Sequence, residues 1–178
     1  MPENMSIVYI ILGVLVVTFF IVMIIIPQIK YNNAKKILKE FPNFKEYKKE
    51  YYDFTIENDD TKLFIKLLDV PSNSMITINN KDTWVLSWGG SSKDFGRSYP
   101  NKKYITEIKT FLKKEFSCEK KTYKIILLNT KTEKIVRYLN ESELAVVSIK
   151  DSPYGYKILE LEKINEQLEF LGIKKQYK

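Results

Sequence analysis

The chain has 178 residues, with 29 Lys and Arg against 22 Asp and Glu, no His and a single Cys. Without imidazole there is no His-based triad, no His-ligated haem and no His-bearing zinc site, and Cys118 alone makes neither an intrachain disulfide nor a thiolate cluster. The net charge of +7 directs a cationic body towards an anionic partner, either a lipid leaflet or nucleic acid.

Ile7 to Ile26 is twenty residues without a charge, sixteen of them Ile, Leu, Val or Phe. At about 1.5 Å per residue such a helix spans the ~30 Å hydrocarbon core, and each central Ile, Leu, Val or Phe favours insertion by roughly 0.3–0.6 kcal/mol. A cleaved signal peptide would need a basic start, a shorter apolar stretch and small residues at its end. This segment instead opens Met-Pro-Glu-Asn-Met and ends Ile-Ile-Ile-Pro-Gln. We therefore expect a transmembrane anchor over residues 1–28 and one domain over 29–178. Glu3 is the only charged side chain before the span, and Lys30, Lys35, Lys36 and Lys39 follow it. The positive-inside rule then predicts a single-pass cell-membrane protein with its N-terminus outside and its C-terminal body in the cytoplasm. The four lysines either set topology alone or also hold an anionic lipid surface, at about 1 kcal/mol each.

Ala34, Ile37, Leu38 and Phe41 recur at helical spacing, and Phe44 and Tyr47 prolong the face past Pro42, predicting a first helix to about Lys49. Tyr52 to Glu57 alternates polar with apolar, Asn58 to Thr61 is a turn cluster, and Lys62 to Leu68 resumes with Leu63, Ile65 and Leu67 on one face, which predicts a β-hairpin. Met75 to Ile78 and Thr83 to Trp88 form either a second hairpin or one long bent strand. Gly89 to Arg97 is a loop by composition. Tyr104, Ile105, Ile108, Phe111 and Leu112 predict a second helix from Lys102 to about Phe116. Tyr123 to Leu128 reads as an apolar run, as in a strand buried within a parallel sheet. Thr130 and Glu133 stand at capping-box spacing and predict a short helix through Leu139. Leu144 to Ile149 would then be the second strand of a right-handed β-α-β crossover. A last helical stripe, Ile158, Leu161, Ile164, Leu168 and Leu171, stops at Gly172, with Ile173 placed to contact Leu168 in a Schellman-type end.

The resulting order, αβββαβαβ with a C-terminal helix, predicts an α/β (α+β) fold with a mixed sheet. Over roughly Ala34 to Ile149 it resembles the PD-(D/E)XK, or restriction-endonuclease-like, superfamily. That resemblance implies an Asp on one strand and an acid-x-Lys triplet on the next, which hold Mg²⁺ or Mn²⁺ and position a water. Asp53 and Lys66 match the family's first Asp and its Lys. The triplet here is Phe64-Ile65-Lys66, so an aromatic ring stands in the slot where the family has a carboxylate. Asp69 points to the other face unless a bulge intervenes, Glu57 shares a face with Asp53, and Glu46 and Glu50 are further acids placed to substitute. The resemblance thus implies one of two functions. The scaffold has lost its chemistry and serves as a non-catalytic module binding nucleic acid or a protein partner, or it is a metal-dependent nuclease or phosphodiesterase using Asp53, Lys66 and a relocated carboxylate. Apart from the family, Asp53 and Lys66 read as a cross-strand ion pair worth about 0.2–1 kcal/mol.

Other constellations are weaker. Gly89 to Lys93 lacks the P-loop spacing. Lys93, Arg97, Lys102 and Lys103, interleaved with Phe95, Tyr99 and Tyr104, form a candidate patch for single-stranded nucleic acid, where bases stack on rings and cations track phosphates; the plain alternative is solvated lysines. Trp84, Leu86 and Trp88 alternate on one strand face and are expected in the core. Cys118 stands near Lys114, Lys120 and Lys121 but has no imidazole to act as its base, and no cofactor is expected unless the nuclease alternative holds. Gly13 and Thr18 are close-packing positions that would suit an accessory subunit of a membrane complex.

Overall fold

The computed structural model describes residues 3–47, 50–90, 92–93, 96–140 and 142–176, with backbone alone for 3–6, 92–93 and 96–97. The chain divides into two compact units, Met1–Ile37 and Leu38–Lys178, and one helix runs on past the apolar stretch.

The first unit is that helix: α1 (Glu3–Phe20), a π-helical turn (Ile21–Ile25) and α2 (Ile26–Leu38), whose last residue opens the second unit. Pro27 has no N–H and its ring crowds the carbonyl one turn back. The helix widens just ahead of it, with the Ile26 N–H donating to the Ile21 carbonyl. From Ile7 to Leu38 it has a stretch of mean hydropathy 3.1 with none of it buried, so this one helix is long and apolar enough to cross a membrane. The first expected helix is the tail of this one and stops at Leu38 rather than Lys49. Pro42 cannot continue it, Asn43 adopts φ +47°, and Phe44 turns back to pack on Phe54 with ring centroids 5.6 Å apart. Lys48 and Lys49 lie outside the described residues.

The second unit is mixed α/β and built on two mixed sheets. Its strands are β1 (Lys45–Glu46), β2 (Phe54–Glu57), β3 (Thr61–Leu68), β4 (Met75–Asn80), β5 (Thr83–Trp88), the short pair β6 (Ser92–Lys93) and β7 (Gly96–Arg97), and β8 (Asn101–Tyr104). After helix α3 (Lys109–Lys113) come β9 (Lys121–Leu128), β10 (Lys134–Tyr138), β11 (Leu144–Val146), β12 (Tyr156–Glu160) and helix α4 (Ile164–Phe170). The first sheet runs β1-β2-β3-β9-β12 and the second β11-β10-β4-β5-β8. In the first, β2 and β3 form the expected antiparallel hairpin, and β9 lies parallel to both β3 and β12. In the second, β4 and β5 form a hairpin, which resolves the bent-strand alternative, and β10 joins β4 in parallel.

Strand alternation makes one core of the facing sides of the two sheets. Phe64, Leu68, Ile126, Leu128, Tyr156 and Ile158 from the first meet Ile76, Ile78, Trp84 and Leu86 from the second, with Ile108, Phe111 and Leu112 of the α3 region closing it. On the opposite face of the first sheet Leu63, Ile65, Ile125, Leu127 and Leu159 are fully buried too. That sheet is therefore covered on both sides, which is why Ile125 to Leu128 is apolar without alternation. α4 ends as expected. Gly172 takes φ +80°, its N–H bonds to the Glu169 carbonyl and the Ile173 N–H to that of Leu168, and both Leu168 and Ile173 are buried, the full Schellman arrangement.

Four expected helices become strands in whole or part, the first of them at β1, so the body does not follow the αβββαβαβ order. Asn101 to Tyr104 is strand β8, because the β5 edge offers backbone partners there, and only Lys109–Lys113 is helical. Lys134 to Tyr138 is strand β10 rather than a helix begun at Thr130, since Ile135 and Val136, both β-branched, slot beside β4. Leu144–Val146 pairs antiparallel with β10, so the parallel partner of β9 after it in sequence is β12 and not Leu144 to Ile149. Ile158 opens the expected last helix but lies inside β12, and helix begins at Ile164.

Candidate functional site

The β2–β3 hairpin places Asp53 opposite Lys66, one residue beyond the Phe54–Ile65 pair. Lys66 Nζ lies 3.0 Å from Asp53 Oδ1. The Leu67 N–H donates to Asp53 Oδ2 at 2.8 Å, while the Asp53 N–H donates to the Ile65 carbonyl. Both carboxylate oxygens are thus engaged by the hairpin itself, in a half-buried setting with the two side chains 19% and 21% exposed.

Phe64, two residues before Lys66, is a packing residue. It is 7% exposed, stacks on Phe116 with centroids 4.4 Å apart and planes at 13°, and meets Tyr52 edge-on at 4.9 Å. Two of the acids considered as substitutes have partners of their own. Glu57 accepts from Lys120 at 2.7 Å and pairs with Lys62 at 3.2 Å, and Lys120, then Lys62, hold its carboxyl below the usual range. Asp69 accepts from the Asn129 amide, Glu46 lies on β1 and Glu50 is exposed outside any strand. Among the described residues no three His, Cys, Asp or Glu side chains gather to hold a metal. One internally paired carboxylate beside Lys66 does not fit the two-acid cation site that the nuclease resemblance implies.

A second ammonium, which the apolar reading of Tyr123 to Leu128 passes over, is more deeply built in. Lys124 sits opposite both Phe64 and Tyr156 in the ladder. Its Nζ donates to the Leu112 and Lys114 carbonyls, each at 2.7 Å, and lies over the rings of Tyr156, Phe111 and Phe116 at 4.8, 5.3 and 5.6 Å. Burial, with Lys81 nearby, pulls its pKa down to about 8 against the opposing charge of Glu115. Two carbonyls and three ring faces satisfy this cation, so Lys124 ties the end of α3 to the first sheet. Tyr156 reinforces the tie by donating its hydroxyl to the same Leu112 carbonyl. The signal in the sequence was a lone Lys among apolar neighbours.

Of the candidate nucleic-acid residues, Lys102 and Lys103 lie on β8 and are exposed. Lys103 pairs with Glu107 at 3.0 Å, whereas Lys102 has no ion-pair partner among the described residues. The backbones of Lys93 and Arg97 lie in the β6–β7 pair, while their side chains, and Phe95 altogether, lie outside the described residues. On the outer face of the second sheet Val85 pairs with Tyr104 and Ser87 with Lys102, while Met75 and Thr77 come from β4. With Tyr138 and Leu144 they line an open groove of about 410 Å³. Trp84 and Leu86 are core, as expected, and Trp88 packs at its margin. Cys118 is exposed, its thiol beside the Thr122 hydroxyl at 3.1 Å. In the first unit, the Thr18 hydroxyl donates to the Val14 carbonyl of its own helix. Comparison with models of protein families, with curated proteins and with solved structures finds no match to this chain.

Proposed function

We infer that the chain is a single-span membrane protein whose C-terminal body is a non-catalytic binding module in the cytoplasm, engaging nucleic acid or a protein partner. The anchor rests on the exposed apolar helix. Orientation rests on the charge difference across it, Glu3 on one side and Lys30, Lys35, Lys36 and Lys39 on the other, lysines that would also meet an anionic leaflet. The observation that carries the non-catalytic reading is the closed Asp53–Lys66 pair beside a stacked Phe64. A metal-dependent phosphodiesterase needs open carboxylate oxygens to share a cation with its substrate, and here those oxygens are engaged by Lys66 and the Leu67 amide.

The test is to incubate the full-length protein in detergent with single- and double-stranded DNA and RNA in Mg²⁺ or Mn²⁺. No cleavage is expected, by the protein or by its Asp53→Asn and Lys66→Met variants. Cleavage that either substitution abolishes would install the metal-dependent nuclease instead. Orientation is checked on the same protein in cells, where a membrane-impermeant maleimide should leave the exposed Cys118 unlabelled until the membrane is opened.

A further inference from the structure

The groove on the outer face of the second sheet has a composition that points to one ligand class. Its volume, about 410 Å³, falls in the ~300–1,000 Å³ range of ligand clefts. Lys102, which has no ion-pair partner among the described residues, stands at its rim, and no carboxylate is among the described residues that line it; the neighbouring Lys103 is taken up by Glu107. Tyr104 is 66% and Tyr138 40% exposed, and neither ring has an aromatic partner among the described residues. Thr77 and Asn79 add hydroxyl and amide groups.

We propose that this groove binds a segment of single-stranded nucleic acid, with bases stacked on Tyr104 and Tyr138 and a phosphate held by Lys102. The proposal rests on the binding-module reading and names its ligand. Stacking on exposed rings combined with cations along the backbone is how sequence-tolerant single-strand binding works, and Thr77 and Asn79 are of the type that bonds to base edges. A lipid acyl chain would leave those polar groups unpartnered, and an acidic peptide would use the lysine without needing the rings.

The experiment uses the full-length protein in neutral phosphatidylcholine nanodiscs and follows the anisotropy of a fluorescein-labelled oligo(dT), with inorganic polyphosphate and polyglutamate as competitors and anionic nanodiscs as a further arm. Oligo(dT) should bind and resist both base-free polyanions. Tyr104→Ala should weaken it about 5- to 150-fold, the range for one base–ring stack, and Tyr104→Phe should restore it. Lys102→Gln should lower the slope of log affinity against log salt by about 0.7. Because Tyr104 is exposed, Tyr104→Ala should leave the Trp84 and Trp88 fluorescence unchanged, which separates lost binding from lost fold. The proposal is overturned by no binding at low salt, by polyphosphate competing as well as oligo(dT) with Tyr104→Ala silent, or by a Tyr104-dependent association with anionic nanodiscs alone. Cleavage of the oligonucleotide in Mn²⁺ would end the non-catalytic reading while leaving the groove standing. Intact oligonucleotide that does not bind would end the groove proposal alone.

Discussion

Replacing Phe64 separates a structural ring from a vacated catalytic slot. The side chain is 7% exposed, stacked on Phe116 and edge-on to Tyr52, with the Lys62 ammonium 5.6 Å from its centroid. Truncating a buried Phe costs about 3–5 kcal/mol in lost transfer energy and residual cavity. Two aromatic pairs, each worth about 0.5–1.5 kcal/mol beyond area, place Phe64→Ala towards the upper end of that range. Against a domain stability of about 5–15 kcal/mol this is a large fraction, and at about 2–4 °C per kcal/mol it lowers Tm by roughly 6–20 °C. Phe64→Glu, which restores an acid-x-Lys triplet on paper, should be worse, because it loses the same packing and adds a carboxylate among rings. Urea unfolding of the full-length protein in detergent, followed through the fluorescence of Trp84 and Trp88, measures both, since both Trp residues lie in the body. A Phe64→Glu protein with wild-type stability that Mn²⁺ stabilises further would refute the structural account and revive the metal site.

Two further outcomes test separate parts of the fold. Glu57 has its pKa lowered by Lys120 and then Lys62, so its contribution is fully present above the unfolded carboxyl value of about 4.3 and is lost as pH falls through the lower folded value. Acid titration of stability should show a loss below about pH 4, reduced in Glu57→Gln; identical acid profiles would mean the pair contributes nothing. Gly172→Ala meets nothing within 4 Å yet must hold φ +80°. It should therefore cost about 1–2 kcal/mol from backbone conformation alone, measured by the same urea transitions, and a neutral result would show that the Schellman end is not needed.

Some of this was legible in the chain because its cause is local. The apolar helix needs only a window of about twenty residues. The β2–β3 hairpin announced itself by two-residue alternation on either side of Asn58 to Thr61, and the end of α4 by Gly172 followed by Ile173. The Asp53–Lys66 pairing followed from that same hairpin, since cross-strand neighbours in a tight turn are fixed by its length. Where local signals and long-range pairing disagreed, pairing prevailed. Thr130 and Glu133 offer a capping-box start, yet Lys134 to Tyr138 becomes a strand because β4 offers a parallel ladder. Apolar residues spaced three and four apart are compatible with a strand followed by a short helix, as at Lys102 to Lys113 and at Tyr156 to Phe170.

From the residues alone came the membrane-spanning length, the charge asymmetry around it, the lack of imidazole chemistry and one hairpin that sets Asp53 against Lys66. These depend on composition and on neighbours a few positions apart. The two-sheet core, the cage of rings and carbonyls around Lys124, and the groove between Tyr104 and Tyr138 were decided by tertiary structure. Each joins side chains distant in sequence through hydrogen-bond ladders whose partners are chosen by burial of the whole sheet, and no local pattern specifies that choice.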